Sequence, residues 1–244
     1  MIPKIIHYCW FGGNPLPELA LKCIESWRKY LPDYEIREWN ESNFDVNINR
    51  FTYEAYTLKQ YAFVSDFARF WILYNYGGLY FDTDVEIIKP IDDIIVQGAF
   101  AGMEPPYKKK KGLWGVNPGL GIGGEKGNLV FKAMLDLYAK KHFVNLRGSY
   151  SGTVVKFFSE IINKMGYVMD ENDIARLENI NIYPQDYFCP INYFSGEMCI
   201  TQNTRSIHHY AATWVKQRSV SKNVLQRFSW LKCRFLNEKN LCQN

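Results

Sequence analysis

Two aspartates separated by one residue, Asp82 and Asp84, close an apolar run that begins at Leu79. On an extended chain, side chains two apart point to the same side. Two like charges crowded at a strand end are costly unless a cation or a proton offsets them. A hard divalent ion such as Mg²⁺ or Mn²⁺ takes carboxylate and phosphate oxygens together. An Asp-x-Asp that holds such an ion can therefore also hold a diphosphate. So short a pair recurs by chance in many proteins, and its neighbours decide how it is read.

The neighbours are informative. Asp66 and Arg69 lie three residues apart in a segment that is apolar almost all round, including Phe63, Val64, Phe67, Phe70, Trp71 and Leu73. At helical spacing they share one face, and an ion pair on a buried helix needs polar company. Gly77 and Gly78 end that helix and return the chain beside it. Asp66 and Arg69 can thus come near Asp82 and Asp84, so acids, a base and a possible metal converge on one pocket.

The rest of the chain reads as the frame for this pocket. Lys4–Tyr8 suits a buried strand. A helix with Pro17 in its first turn runs to about Tyr30 and buries Leu19, Cys23, Ile24 and Trp27. Tyr34–Trp39 is a second strand, and a long helix covers roughly Ala62–Asn75. Leu79–Ile88 is β-rich. Further strands are expected at Ala99–Met103, Gly119–Gly124, Ile180–Tyr183 and Ser206–Tyr210, with helices at about Asn128–Lys140 and Gly152–Met165. This alternation predicts an α/β fold with a mostly parallel central sheet flanked by helices. The site is expected at the C-terminal ends of the strands.

Composition narrows the function classes. With 244 residues, 47% hydrophobic and 22% charged, the chain suits one packed domain. A net charge of +4 comes with no nucleic-acid motif, so nucleic acid is not an expected partner. The six cysteines show no C-x-x-C pair or zinc spacing, and reduced thiols are expected. The N-terminus does not read as a signal peptide, and no apolar run is long enough to span a membrane. A cytoplasmic protein is expected. Lysines cluster at Lys108–Lys111. The end of the chain is basic and aromatic, with Lys216, Arg218, Lys222, Arg227, Lys232 and Arg234. Residues 1–220 are read as the main domain. Residues 221–244 form a basic segment that could rest on the inner membrane face.

The block from Ser65 to Asp84 resembles the signature of the family 32 glycosyltransferases, the "sugar-binding region containing DXD motif" family. This group includes bacterial capsule and lipopolysaccharide enzymes and yeast initiating mannosyltransferases, with the clostridial glucosylating toxins as more distant relatives. Ile2–Gly13 resembles the family's first strand and donor loop, and His208–Trp214 its C-terminal motif. The three blocks follow the family's order.

The resemblance implies a GT-A fold, a divalent cation (Mn²⁺ or Mg²⁺), and retention of anomeric configuration. It implies transfer of a hexose from a nucleotide-sugar donor to a glycan or lipid-linked glycan acceptor. A UDP-sugar is favoured, GDP-mannose is possible, and surface-polysaccharide synthesis is the implied setting. Trp10 would stack on the nucleotide base. Asp66 and Arg69 would hold the donor sugar's hydroxyls, and Tyr80 would pack beside the ribose or diphosphate. Asp82 would contact the ribose and share the metal shell, while Asp84 would bind the metal directly. His209 is the preferred further ligand, with His208 next, since adjacent strand residues point oppositely. Trp214 would close over the diphosphate, and Asn117 would lie near the transferred sugar. Two rivals use the same residues differently: a metal-dependent phosphohydrolase, and a carbohydrate-binding or scaffold protein that kept the fold without catalysis.

Overall fold

A computed structural model describes residues 1–105, 115–144, 152–168, 172–192 and 196–211. In chain order, β1 (Ile5–Cys9) leads to α1 (Glu18–Tyr30), β2 (Glu35–Trp39), α2 (Arg50–Thr57), α3 (Tyr61–Tyr76), β3 (Gly78–Tyr80) and β4 (Val85–Ile87). A one-turn α4 (Asp92–Ile95) precedes β5 (Phe100–Glu104), β6 (Gly115–Gly124), α5 (Leu129–Tyr138) and α6 (Val154–Lys164). The described part ends with β7 (Ala175–Leu177), β8 (Ile180–Tyr183), a short α7 (Gln185–Phe188) and β9 (Ser206–His208).

Seven strands form one sheet in the order β2-β1-β3-β6-β5-β8-β7. β1, β2, β3, β5 and β8 run one way, while β6 and β7 run against them. The sheet is therefore mostly parallel, as the alternating pattern predicted. Helices cover both faces. On one face, Phe67, Phe70 and Leu73 of α3 pack with Phe131, Met134 and Phe158 over Tyr80, Ile122 and Ile182. On the other, Ile24 and Trp27 of α1 pack with Phe188 over Ile6, Leu79 and Phe100. Leu79 and Tyr80 go to opposite cores because successive strand residues face opposite ways.

Two connections position the acidic segment. The first is the α3–β3 joint. Gly77 caps α3 at φ 66°. A Cβ on Gly78 would lie 2.6 Å from the Ile5 carbonyl oxygen, so glycine lets β3 start tight against β1. His7, fully buried, locks this joint. Its Nδ1 accepts the Trp39 indole N–H at 3.1 Å, so the proton sits on Nε2, which donates to the Gly77 carbonyl at 2.9 Å. The second connection is α1. The Trp27 indole N–H donates to the Val85 carbonyl at 2.7 Å, and Ile87 N–H donates to Ser26 Oγ at 2.9 Å. Helix α1 thus holds β4 in place.

Three local expectations differ from the structure. Leu79–Ile88 is not one strand. β3 ends at Tyr80, and Asp82–Asp84 form a turn closed by Val85 N–H on the Asp82 carbonyl at 3.0 Å. β4 then joins a separate two-stranded sheet with β9. The Ser206–Tyr210 strand therefore pairs with β4 and does not extend the main sheet, because it follows the chain past the acidic turn. β6 begins at Gly115, so Asn117 lies in a strand. Helix α2 had no prediction: its inward residues, Phe51, Thr52 and Ala55, are too few for a clear stripe. Asn49 caps it by accepting from Thr52 N–H.

Among the described residues no helix is long and apolar enough to cross a membrane. Cys9, Cys23, Cys189 and Cys199 are free thiols. The lysine run at 108–111 and the 221–244 segment lie outside the described residues.

Candidate active site

Arg69 is the hub of the site. Its side chain is only 4% exposed, and its Nη2 lies 2.8 Å from Asp66 Oδ1 and 3.2 Å from Asp82 Oδ1. Its Nε donates to the Ser65 carbonyl at 3.2 Å, one turn back on α3. The guanidinium lies over the Tyr80 ring, 4.8 Å from the centroid. Its remaining nitrogen, Nη1, is buried and has no partner among the described residues. A buried donor left open is costly unless a ligand supplies the acceptor.

The charges around Arg69 are matched to it. Burial works against its positive form, but Asp82, Tyr80 and Asp66 outweigh that and hold its charge firmly. Burial pushes the Asp66 carboxyl up to about 7, with Arg69 opposing and Asp82 adding to the push. Burial also raises Asp82, again against Arg69. Asp82 keeps 31% of its side-chain surface open, and Asp66 13%, so Asp82 is the carboxylate that faces outward.

Tyr80 is 1% exposed; its ring lies beneath Arg69 and its hydroxyl donates to Asp82 Oδ1 at 3.3 Å. The side chain expected beside the ribose or diphosphate is thus buried under the site, where it supports Arg69 and Asp82. Trp10 stands at the end of β1, partly exposed, with its indole N–H on the Asn14 carbonyl at 2.6 Å.

Asp84 is held by the chain around β9. Its Oδ2 accepts from Ala211 N–H at 2.8 Å, and its backbone carbonyl accepts from His209 N–H at 2.9 Å. Of the two histidines, His208 is the one beside it, with Nε2 at 3.3 Å from Asp84 Oδ1. His209, the preferred ligand from the sequence, points the other way and pairs with Glu86 at 2.8 Å. The reason is the β4–β9 register: Val85 faces His208, so the next residue turns to the opposite side. Trp214 lies outside the described residues.

Among the described residues no cluster of three or more His, Cys, Asp or Glu side chains forms a ready metal cage. The donor set nonetheless fits a hard cation shared with a diphosphate. Mg²⁺-type sites draw on one or two carboxylates plus substrate phosphate oxygens. Asp82, Asp84 and His208 supply two carboxylates and an imidazole, and the buried His208 Nδ1 has no partner among the described residues.

Glu104 and Gly119 carried no sequence signal of their own. A Cβ on Gly119 would lie 2.2 Å from Asp82 Oδ2, so any larger residue there would displace the Asp82 carboxylate. Asn117 donates to the buried Glu104 Oε2 at 2.7 Å, with its own oxygen on Gly119 N–H at 2.7 Å. A lone carboxylate ending the apolar run Phe100–Met103 was the available hint for Glu104.

Residues 17–101, which include Asp66, Arg69, Tyr80, Asp82 and Asp84, match the family described as "Glycosyltransferase sugar-binding region containing DXD motif". Inositol phosphoceramide mannosyltransferase 1 of Schizosaccharomyces pombe is 33% identical over 110 residues, 41% of this chain and 33% of that protein. An uncharacterized glycosyltransferase of Acanthamoeba polyphaga mimivirus is 27% identical over 209 residues, 82% of this chain and 77% of that one. The chain thus spans about a third of the yeast relative's length and about three quarters of the viral one's. The solved PaToxG glycosyltransferase shares the fold, with a TM-score of 0.51 at 19% identity over 67% of this chain and 69% of that one. The acidic turn and the arginine that faces it both lie in the matched segment: residues 17–101 of this chain are similar to the glycosyltransferase sugar-binding region containing the DXD motif.

Proposed function

We propose that the protein is a retaining, metal-dependent glycosyltransferase that moves a hexose from a nucleotide sugar to a hydroxyl of a glycan or lipid-linked glycan. The observation that carries this reading is the buried Arg69. It is braced by Asp66, Asp82 and Tyr80 and has an open donor for a ligand oxygen. A scaffold protein has no use for a buried cation with an unmet hydrogen bond. A phosphohydrolase would need a nucleophile beside the acidic turn, and Asp82 and Asp84 are both engaged by neighbours.

In this reading Trp10 stacks on the base, and Asp66 and Arg69 orient the hydroxyls of the donor sugar. Asp82, Asp84 and His208 hold a Mn²⁺ or Mg²⁺ ion. When bound, that ion neutralises the charge that develops on the leaving diphosphate. The chain's own part is positioning and electrostatics. Among the described residues no carboxylate stands out as a positioned nucleophile, so we propose a front-face route through an oxocarbenium-like state. A trapped sugar–enzyme adduct would overturn that assignment.

The S. pombe relative is named an inositol phosphoceramide mannosyltransferase. GDP-mannose therefore stands beside the UDP-hexoses as a donor here, and a lipid-linked acceptor is consistent with it. Surface-polysaccharide synthesis rests on the sequence resemblance, and a cytoplasmic, membrane-peripheral location rests on the apolar patterning and the basic 221–244 segment.

The test is a panel of UDP- and GDP-sugars, assayed without acceptor for slow release of free sugar, with and without Mn²⁺. One donor should be hydrolysed in a metal-dependent way, and Asp84→Asn should abolish this with the fold intact by circular dichroism. Full activity in Asp84→Asn, or no metal-dependent nucleotide binding by calorimetry, would defeat the proposal.

A further inference from the structure

Glu104 ends β5 at the same edge of the sheet where β3 delivers Tyr80 and the acidic turn, because β3 and β5 run the same way. It is 1% exposed. From it a continuous set of contacts leads to Asp82. Glu104 Oε2 accepts the Asn117 amide N–H at 2.7 Å, and Asn117 Oδ1 accepts Gly119 N–H at 2.7 Å. The Gly119 carbonyl accepts Asp82 N–H at 3.3 Å, and the Gly119 Cα rests against the Asp82 carboxylate.

The strand register shows why this set matters. Ala101 pairs with Ile122, but the next residue, Gly102, pairs with Asn117. Residues Pro118 to Gly121 therefore bulge out of the β5–β6 ladder. A bulge frees backbone from the ladder and re-aims it. Here it carries Gly119 out to Asp82. The Asn117 side chain closes the bulge across two residues, and its orientation decides whether an oxygen or an NH₂ group meets Gly119 N–H. Glu104 Oε2 takes the NH₂ end of Asn117, which leaves the amide oxygen for Gly119 N–H.

We infer that Glu104 is a positioning residue for donor chemistry at Asp82, acting through the Asn117 amide and the Gly119 bulge. The inference rests on the transferase reading above. Glu104 does not touch the donor in this role. It sets the surface against which Asp82 is held. Partners that orient a binding residue in this way typically contribute ten- to hundredfold to activity.

A polarity swap tests it. Donor hydrolysis at saturating donor and Mn²⁺, calorimetric Kd for UDP with Mn²⁺, and thermal midpoint are measured for each variant, at a temperature where all are folded. Glu104→Ala should lose roughly ten- to hundredfold in kcat. Asn117→Asp sets two carboxylates against each other and should lose a similar factor. Glu104→Gln with Asn117→Asp restores the hydrogen bond with donor and acceptor exchanged and keeps an oxygen on Gly119 N–H. The double variant should recover most of the kcat lost in Asn117→Asp. A merely structural role would move the thermal midpoint and leave kcat of the folded variants alone. Equal kcat in Asn117→Asp and the double variant, or wild-type kcat in Glu104→Ala, overturns the inference while the active wild type leaves the transferase reading standing. A wild-type chain that neither hydrolyses donors nor binds UDP with Mn²⁺ overturns both.

Discussion

Arg69 meets Asp82 across the joint between α3 and β3, with Nη2 at 3.2 Å from Oδ1. One guanidinium therefore ties the helix that carries Asp66 to the turn that carries Asp82 and Asp84. Arginine suits this because its planar fork reaches two carboxylates at once, whereas lysine is a point charge. Arg69→Lys should stay folded and lose donor hydrolysis on the order of a hundredfold, the scale of a small misplacement in an active site. Arg69→Ala leaves two buried acids without their cation and should destabilise by about 3–5 kcal/mol in urea unfolding. Wild-type turnover in Arg69→Lys would remove Arg69 from its central role.

Gly119→Ala probes the approach of β6 to the acidic turn. The backbone of Gly119 asks for no left-handed φ, so the added methyl acts through contact alone, 2.2 Å from Asp82 Oδ2. The Asp82 carboxylate must move. The expected cost is about 1–3 kcal/mol in stability, with a drop in donor hydrolysis that exceeds it. Unchanged hydrolysis rates would show that Asp82 tolerates displacement.

The two histidines should separate cleanly. His208 lies beside Asp84, and His209 pairs with Glu86. His208→Ala should raise the Mn²⁺ concentration for half-maximal hydrolysis by roughly tenfold or more. His209→Ala should raise it less. A Mn²⁺ titration of both variants checks this, and the reverse order would place the ligand at His209.

His7 makes stability depend on pH. Burial lowers its pKa from 6.5 to about 4, against the raising effect of its bond to Gly77. The folded state refuses the proton and the unfolded state accepts it, so this contribution is complete above pH 6.5 and is lost as pH falls toward 4. Between pH 7 and pH 5 the loss should reach about 2 kcal/mol, from 1.36 kcal/mol per pKa unit. Urea midpoints at the two pH values measure it. His7→Gln should flatten that dependence, and an equal slope in the variant would assign it to other groups.

The elements were legible where local chemistry repeats. The apolar helix bearing Asp66 and Arg69, the Gly77–Gly78 stop and the Ile180–Tyr183 strand all follow from spacing and punctuation along the chain. Asp66, Arg69, Asp82 and Asp84 were legible as a group because two glycines force the chain back onto its own helix.

What lay beyond the sequence depends on partners distant in the chain. Asp82 and Asp84 were expected on one face of a strand, but they sit on a turn between two sheets. That follows from the pairing of β4 with β9, more than 100 residues away. The same pairing put His208 beside Asp84 and His209 beside Glu86, a placement no local pattern encodes, since strand neighbours face opposite ways and register alone decides which way each turns. Tyr80 went beneath Arg69 because β3 lies between β1 and β6. Glu104 gained its place only when β6 bulged and brought Asn117 and Gly119 to the acidic turn. The sequence by itself determined which residues could do the chemistry. Tertiary register determined which of them meet, because hydrogen-bond pairing between distant strands decides where the acidic turn, His208 and Asn117 lie relative to the helix that carries Asp66 and Arg69.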